Sequence, residues 1–170
     1  MLVLLSCLGL GLCLYAALND VATLTIPNWL NLSLALLGLS ALAVAGLGLE
    51  ATLWHLGVAL LAFAVSFGLF VLGVWGGGDA KMVPAVLLWL GPLGVVPFFY
   101  WMALSGGVLA LILILARKAV PQDKAPKVLS LALKQGAGVP YGVAIAVGVF
   151  MAVPTAPLFS DVVSMVPALH

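Results

Sequence analysis

The chain has 170 residues, 65% of them hydrophobic and only 6% Asp, Glu, Lys or Arg, with a mean hydropathy of +1.34. A soluble globule of this length cannot hide so much apolar side chain, so a soluble domain is excluded and a lipid bilayer is the matching solvent. The formal net charge of +1 leaves no basic face for nucleic acid.

Backbone groups in lipid must be satisfied within their own segment, so each long apolar run is expected to be a helix. Period-two alternation is missing and the runs are too long for barrel strands. The first helix is predicted over residues 2–18 and carries Cys7 and Cys13, whose spacing suits no zinc site and which read as inert thiols. No Lys or Arg precedes this run, so it is expected to be a retained helix and not a cleaved signal.

The second helix is predicted over residues 28–49, with Glu50 in the connection, and the third over residues 53–75. A glycine break follows at Gly76-Gly77-Gly78. A short fourth helix over 80–90 closes at Gly91-Pro92, a fifth covers 93–116, and a sixth starts near Pro140 and ends before Pro154. The Pro-rich apolar tail is expected to lie at the interface. The expected fold is all-α: one polytopic membrane domain over residues 1–170 with about six transmembrane helices.

Orientation comes from charge. Arg117, Lys118, Lys124, Lys127 and Lys134, five of the six basic residues, fall between the fifth and sixth helices. The positive-inside rule makes that loop cytoplasmic. Counting crossings backwards puts residues 76–81 and 19–27 inside, Glu50 outside, and both termini outside. Asp20 and Asp79 are then one helical hairpin apart, at the same cytoplasmic edge. Asp123 lies in the basic loop and Asp161 on the opposite side.

A single interfacial Asp is most simply a helix end facing headgroups. Two on one face, each in an unusual local sequence, point to function, because ionisable groups at membrane depth are costly. Gly76, Gly77 and Gly78 before Asp79 end a helix and remove side chains where a second backbone, such as an extended peptide, could approach. A flexible turn or close helix packing is the plainer reading. Pro27 suits the first turn of the second helix, which explains it structurally but leaves Asp20 unexplained. Lys81 suits an acidic group of a substrate, a lipid phosphate, or simple snorkelling to the interface. Asn28 suits a substrate hydrogen bond or a cap. His55 and His170 have no partner visible in the sequence. Trp54, Trp75, Trp89 and Trp101 fit interfacial or packing roles.

Asp20 followed by Ile26-Pro27-Asn28, then a G-x-G-D-x-K stretch about 60 residues later, resembles the type IV prepilin peptidase family of aspartic membrane proteases. Residues 76–92, GGGDAKMVPAVLLWLGP, are similar to the family's G-x-G-D stretch and the helix after it, and Val139 to Ala146 to the opening of its last helix. The likeness is greatest to the short members that process tight-adherence (Flp-type) pilins. It implies a multi-pass protein of a prokaryotic inner membrane that cleaves the leader of a prepilin or pseudopilin at the cytoplasmic face. Asp20 and Asp79 would be catalytic, with Gly76, Gly77, Gly78, Lys81 and Asn28 as candidate substrate-binding residues.

Longer members carry an extra region with a four-cysteine zinc site linked to N-methylation. Neither that length nor those cysteines are found in these residues, so peptidase activity without methyl transfer is expected, with no metal or cofactor. One departure is the lack of Arg or Lys between Asp20 and Ile26-Pro27-Asn28.

The same residues also bear on rival classes. A proton-coupled transporter or channel also uses intramembrane carboxylates, but no repeat is visible and the helix breaks lie at the edge. A non-catalytic assembly factor for a pilus or secretion machine would keep the same pattern. Presenilin-like proteolysis shares G-x-G-D and a Pro-Ala-Leu motif; Pro167-Ala168-Leu169 matches, but no Tyr-Asp pair occurs.

Overall fold

The structure, a computed structural model, describes residues 1–120 and 126–164. Asp123, Lys124, Pro167-Ala168-Leu169 and His170 lie outside the described residues. The described chain is helical: α1 (Leu2–Thr23), α2 (Asn28–Val44), α3 (Leu49–Val71), α4 (Gly77–Ala119), α5 (Tyr141–Ala152) and a short α6 (Ser160–Ser164). Three of these, α1, α3 and α4, are long and apolar enough to cross a membrane, and α2 and α5 are shorter apolar helices. The chain is a polytopic α-helical membrane protein.

The expected fourth and fifth helices form one 43-residue element broken at Gly91, where φ is 64° and ψ is −170°. The break reverses the chain. Val83 and Met102 line the same cavity, whereas 19 residues of straight helix would hold them about 28 Å apart. Glycine is required at this point. Its φ is positive, and a Cβ there would lie 2.4 Å from the His55 ring.

The first half of α4 ends here, so its last carbonyls need donors from elsewhere. Residue 92 is a proline and offers no N–H. His55 Nδ1 lies 2.9 Å from the Leu88 carbonyl oxygen, and the tautomer protonated on Nδ1 supplies the donor. His55 is 2% exposed, so this bond forms away from competing water.

Residues 82–91 are buried without interruption and form a central column. A helix apolar on every side must be enclosed by other helices. Here α2, α3 and α5 pack against α4. Trp89 anchors the column: its indole N–H donates to the Leu34 carbonyl at 2.9 Å, and its ring stacks on Phe159. Gly9 and Gly38 leave the room it fills. Trp89 is therefore a core aromatic.

Several expected boundaries shift. α1 runs to Thr23 because Asn19 and Thr23 satisfy each other: Thr23 Oγ1 donates to Asn19 O at 2.8 Å, and Asn19 Nδ2 donates to Thr25 O at 2.8 Å. Polar residues that bond locally do not end a helix. α1 ends one residue later, at Leu24, whose φ is 53°. α2 stops at Val44, before a turn at Gly46, and Glu50 sits in the first turn of α3, where the helix dipole favours a negative charge. The described part of the tail packs into the bundle. Leu158 and Phe159 are at most 2% exposed, and Ser6 Oγ donates to Leu158 O at 2.9 Å, drawing the tail onto α1.

Candidate active site

Asp20 lies in the last turns of α1, and Asp79 in the first turn of α4. Their helices reach one end of the bundle from opposite directions, and both residues line a single cavity of about 510 Å³. Its walls include Leu24, Trp75, Val83, Met102, Val139 and Tyr141. The volume falls in the range of ligand-binding clefts, mostly apolar with a few convergent polar groups.

Each carboxylate is held differently. The Gly142 N–H donates to Asp20 Oδ2 at 2.7 Å. That N–H belongs to the first turn of α5, where helix donors lack intrahelical partners. Asp20 thus caps a helix from across the bundle, a structural task that also fixes its own position. The fit needs glycine, since a Cβ at position 142 would lie 3.0 Å from Asp20 Oδ2. Asp79 is only partly buried, and among the described residues no donor meets its carboxylate. Gly76 is its nearest wall, and a Cβ there would lie 3.1 Å from Asp79 Oδ2.

The three glycines differ in surroundings. Gly76 lines the cavity. A Cβ on Gly77 would meet the Phe70 ring at 3.2 Å, and one on Gly78 would meet Ile26 Cβ at 3.0 Å and Ile26 N at 3.2 Å. The backbone that approaches Gly78 is therefore the chain's own Ile26-Pro27 segment. Asn31 reinforces this contact by donating through Nδ2 to Gly78 O at 3.3 Å. Lys81 and Asn28 are joined by a 2.7 Å hydrogen bond, but they line a separate cleft.

The rim of the cavity includes Gly138 and Val139, which are held by a residue read from sequence only as a topology marker. Arg117 Nε and Nη2 donate to Ala132 O at 2.9 and 2.8 Å, and Nη2 donates to Gly138 O at 2.8 Å. Gly142 stands within a stretch whose likeness to the family's last helix was visible. Its contact with Asp20 was not, because nothing local in sequence links positions 122 residues apart.

An all-helical membrane bundle with two carboxylates opening onto one cavity at its end defines a class of intramembrane site. Residues 7–111, more than half the chain, match the type IV leader peptidase family, and the chain belongs to that family. Comparison with curated proteins and with solved structures gave no match. The family is one of peptidases, and its general substrate is a prepilin. The matched span contains both aspartates, and α5 lies beyond it.

Proposed function

We propose that Asp20 and Asp79 are the catalytic pair of a membrane aspartic endopeptidase. Its substrate is the leader of a type IV, Flp-like prepilin or pseudopilin, cut at the cytoplasmic face of a prokaryotic inner membrane. The observation that carries this reading is the opening of both carboxylates onto one cavity. The basic residues at the end of α4 support the cytoplasmic orientation, since Arg117 and Lys118 end the half of α4 that returns from the Gly91 break, and Arg117 binds Gly138 O at the rim of that cavity.

The chemistry needs two acids. Carboxylates at close quarters do not both ionise easily and hold one proton between them. The ionised member takes a proton from water as it attacks the scissile carbonyl. The protonated member donates to the carbonyl oxygen, and a proton then passes to the leaving amine. Such a pair titrates as a unit. These steps call for neither metal nor cofactor, and no methyl transfer is assigned to these residues. Gly76 leaves space beside Asp79 for a peptide backbone to enter.

The test is co-expression with a cognate prepilin and a gel-shift assay of leader removal. Asp20→Asn and Asp79→Asn should each lower cleavage by about 10²–10⁴-fold, the range of general acid–base catalysis, while the protein still inserts. Processing at the wild-type rate in either variant rejects the pair. Proton flux in liposomes without cleavage by the wild type would favour the transporter reading instead.

A further inference from the structure

We propose that a cleft between α2 and α3, opening beside Lys81, is a binding site for one phospholipid: its phosphate at Lys81 and Asn28, one acyl chain between the helices. This inference does not rest on the peptidase reading.

α2 and α3 both pack on α4 but not along one another, which leaves a cleft floored by the central column. Its volume is about 500 Å³. It has a polar mouth and an apolar length. Asn28, Asn31 and Lys81 stand at the mouth, and Leu32, Ala35, Ala59, Phe63, Ala85 and Leu88 line the remainder. From Lys81 to Leu88 the floor runs about 10 Å into the bilayer, along two turns of helix. Small side chains at positions 35, 59 and 85 leave room between the helices.

The mouth is chemically incomplete. Lys81 is exposed and donates once, to Asn28 Oδ1 at 2.7 Å, and no carboxylate among the described residues pairs with it. An ammonium has three donors, so two remain for an anion. Asn31 is 5% exposed, yet its Oδ1 is buried with no partner. A buried acceptor without a donor is costly, and a headgroup ammonium or hydroxyl seated at the mouth would offer one. A phosphate for the cation, a donor for the amide and a hydrocarbon tail for the cleft occur together in a glycerophospholipid. A free phosphate would leave the apolar length unfilled.

The position links this site to the other. Lys81 follows Asp79 by two residues, and Asn31 holds Gly78 through the bond that also sets the glycine segment. A lipid seated here would bear on the turn of α4 that carries Asp79.

The experiment uses the whole protein, extracted in mild detergent and analysed by native mass spectrometry for retained phospholipid. The wild type should keep one phospholipid. Lys81→Gln should reduce its occupancy by about fivefold, as expected for one cation near a lipid surface. Ala59→Trp, which fills the cleft without touching the mouth, should do the same, and Lys81→Arg should retain the lipid. Leu60→Trp, on the exposed neighbouring face of α3, should leave occupancy unchanged. Equal retention by wild type, Lys81→Gln and Ala59→Trp overturns the proposal, as does equal loss in Leu60→Trp, which would indicate unspecific surrounding lipid. Displacement by inorganic phosphate as readily as by phosphatidylglycerol vesicles would make this a phosphate site and also overturn it. So would an Ala59→Trp protein that keeps its lipid but no longer captures a full-length prepilin, because the cleft would then serve the substrate's apolar helix.

Discussion

Gly142 donates its backbone N–H to Asp20 Oδ2 at 2.7 Å, tying the start of α5 to the end of α1. The bond gives Asp20 a capping task that is separable from the chemistry proposed for it. Asp20→Ala removes both and should lower stability by about 1 kcal/mol, as the loss of a helix cap does. Asp20→Asn keeps an acceptor oxygen and should retain most of that stability while losing cleavage. Thermal unfolding in detergent, alongside the processing assay, separates the two. Equal stability of the Ala variant and the wild type would deny the capping role.

Gly142→Ala probes placement without altering charge. The new Cβ would lie 3.0 Å from both Cβ and Oδ2 of Asp20, so the carboxylate must move. A displacement of this kind should slow processing by about 10²-fold if Asp20 takes part in the reaction. The readout is the rate of leader removal at a membrane level equal to wild type, and an unchanged rate would place Asp20 outside the reaction.

His55→Leu addresses the far end of the bundle. It keeps most of the apolar contact but withdraws the donor to Leu88 O, leaving a buried carbonyl unpaired where Pro92 cannot help. A cost of about 1–3 kcal/mol is expected. Unfolding in detergent should show it, and a neutral result would mean that this end of the column is satisfied in another way.

Arg117→Lys tests the cavity rim. Lysine keeps the positive charge that sets orientation but cannot bridge Ala132 O and Gly138 O with a planar fork. The stretch carrying Gly138 and Val139 should loosen. The expected kinetic signature on a synthetic prepilin is a rise in KM of about tenfold with kcat little changed, the pattern of lost binding that serves ground and transition states alike. A fall in kcat at constant KM would contradict a rim role.

Much of this molecule was legible without coordinates, and the reasons are physical. Apolar runs of bilayer length announce helices whatever their partners, so the order of spans was readable. Charge asymmetry and a crossing count brought Asp20 and Asp79 to the same end, and the structure places them in one cavity. Helix ends were less legible. Asn19 and Thr23 look like terminators but bond to each other inside α1. The return at Gly91 was readable from Gly-Pro, but the partner that completes it was not, because His55 lies 33 residues before the Leu88 carbonyl it meets. The glycines before Asp79 suggested room for a foreign chain. At Gly78 that room is taken by Ile26, a tertiary contact that local sequence does not encode.

The uninterrupted burial of residues 82–91 bears on how the two acids could change their separation. Asp20 is tethered sideways to α5, whereas Asp79 rides on the tip of a buried shaft that α2, α3 and α5 pack against. Its foot rests on the Gly91 bend, roughly 18 Å below Asp79. A change in how that foot is seated would therefore move Asp79 relative to Asp20.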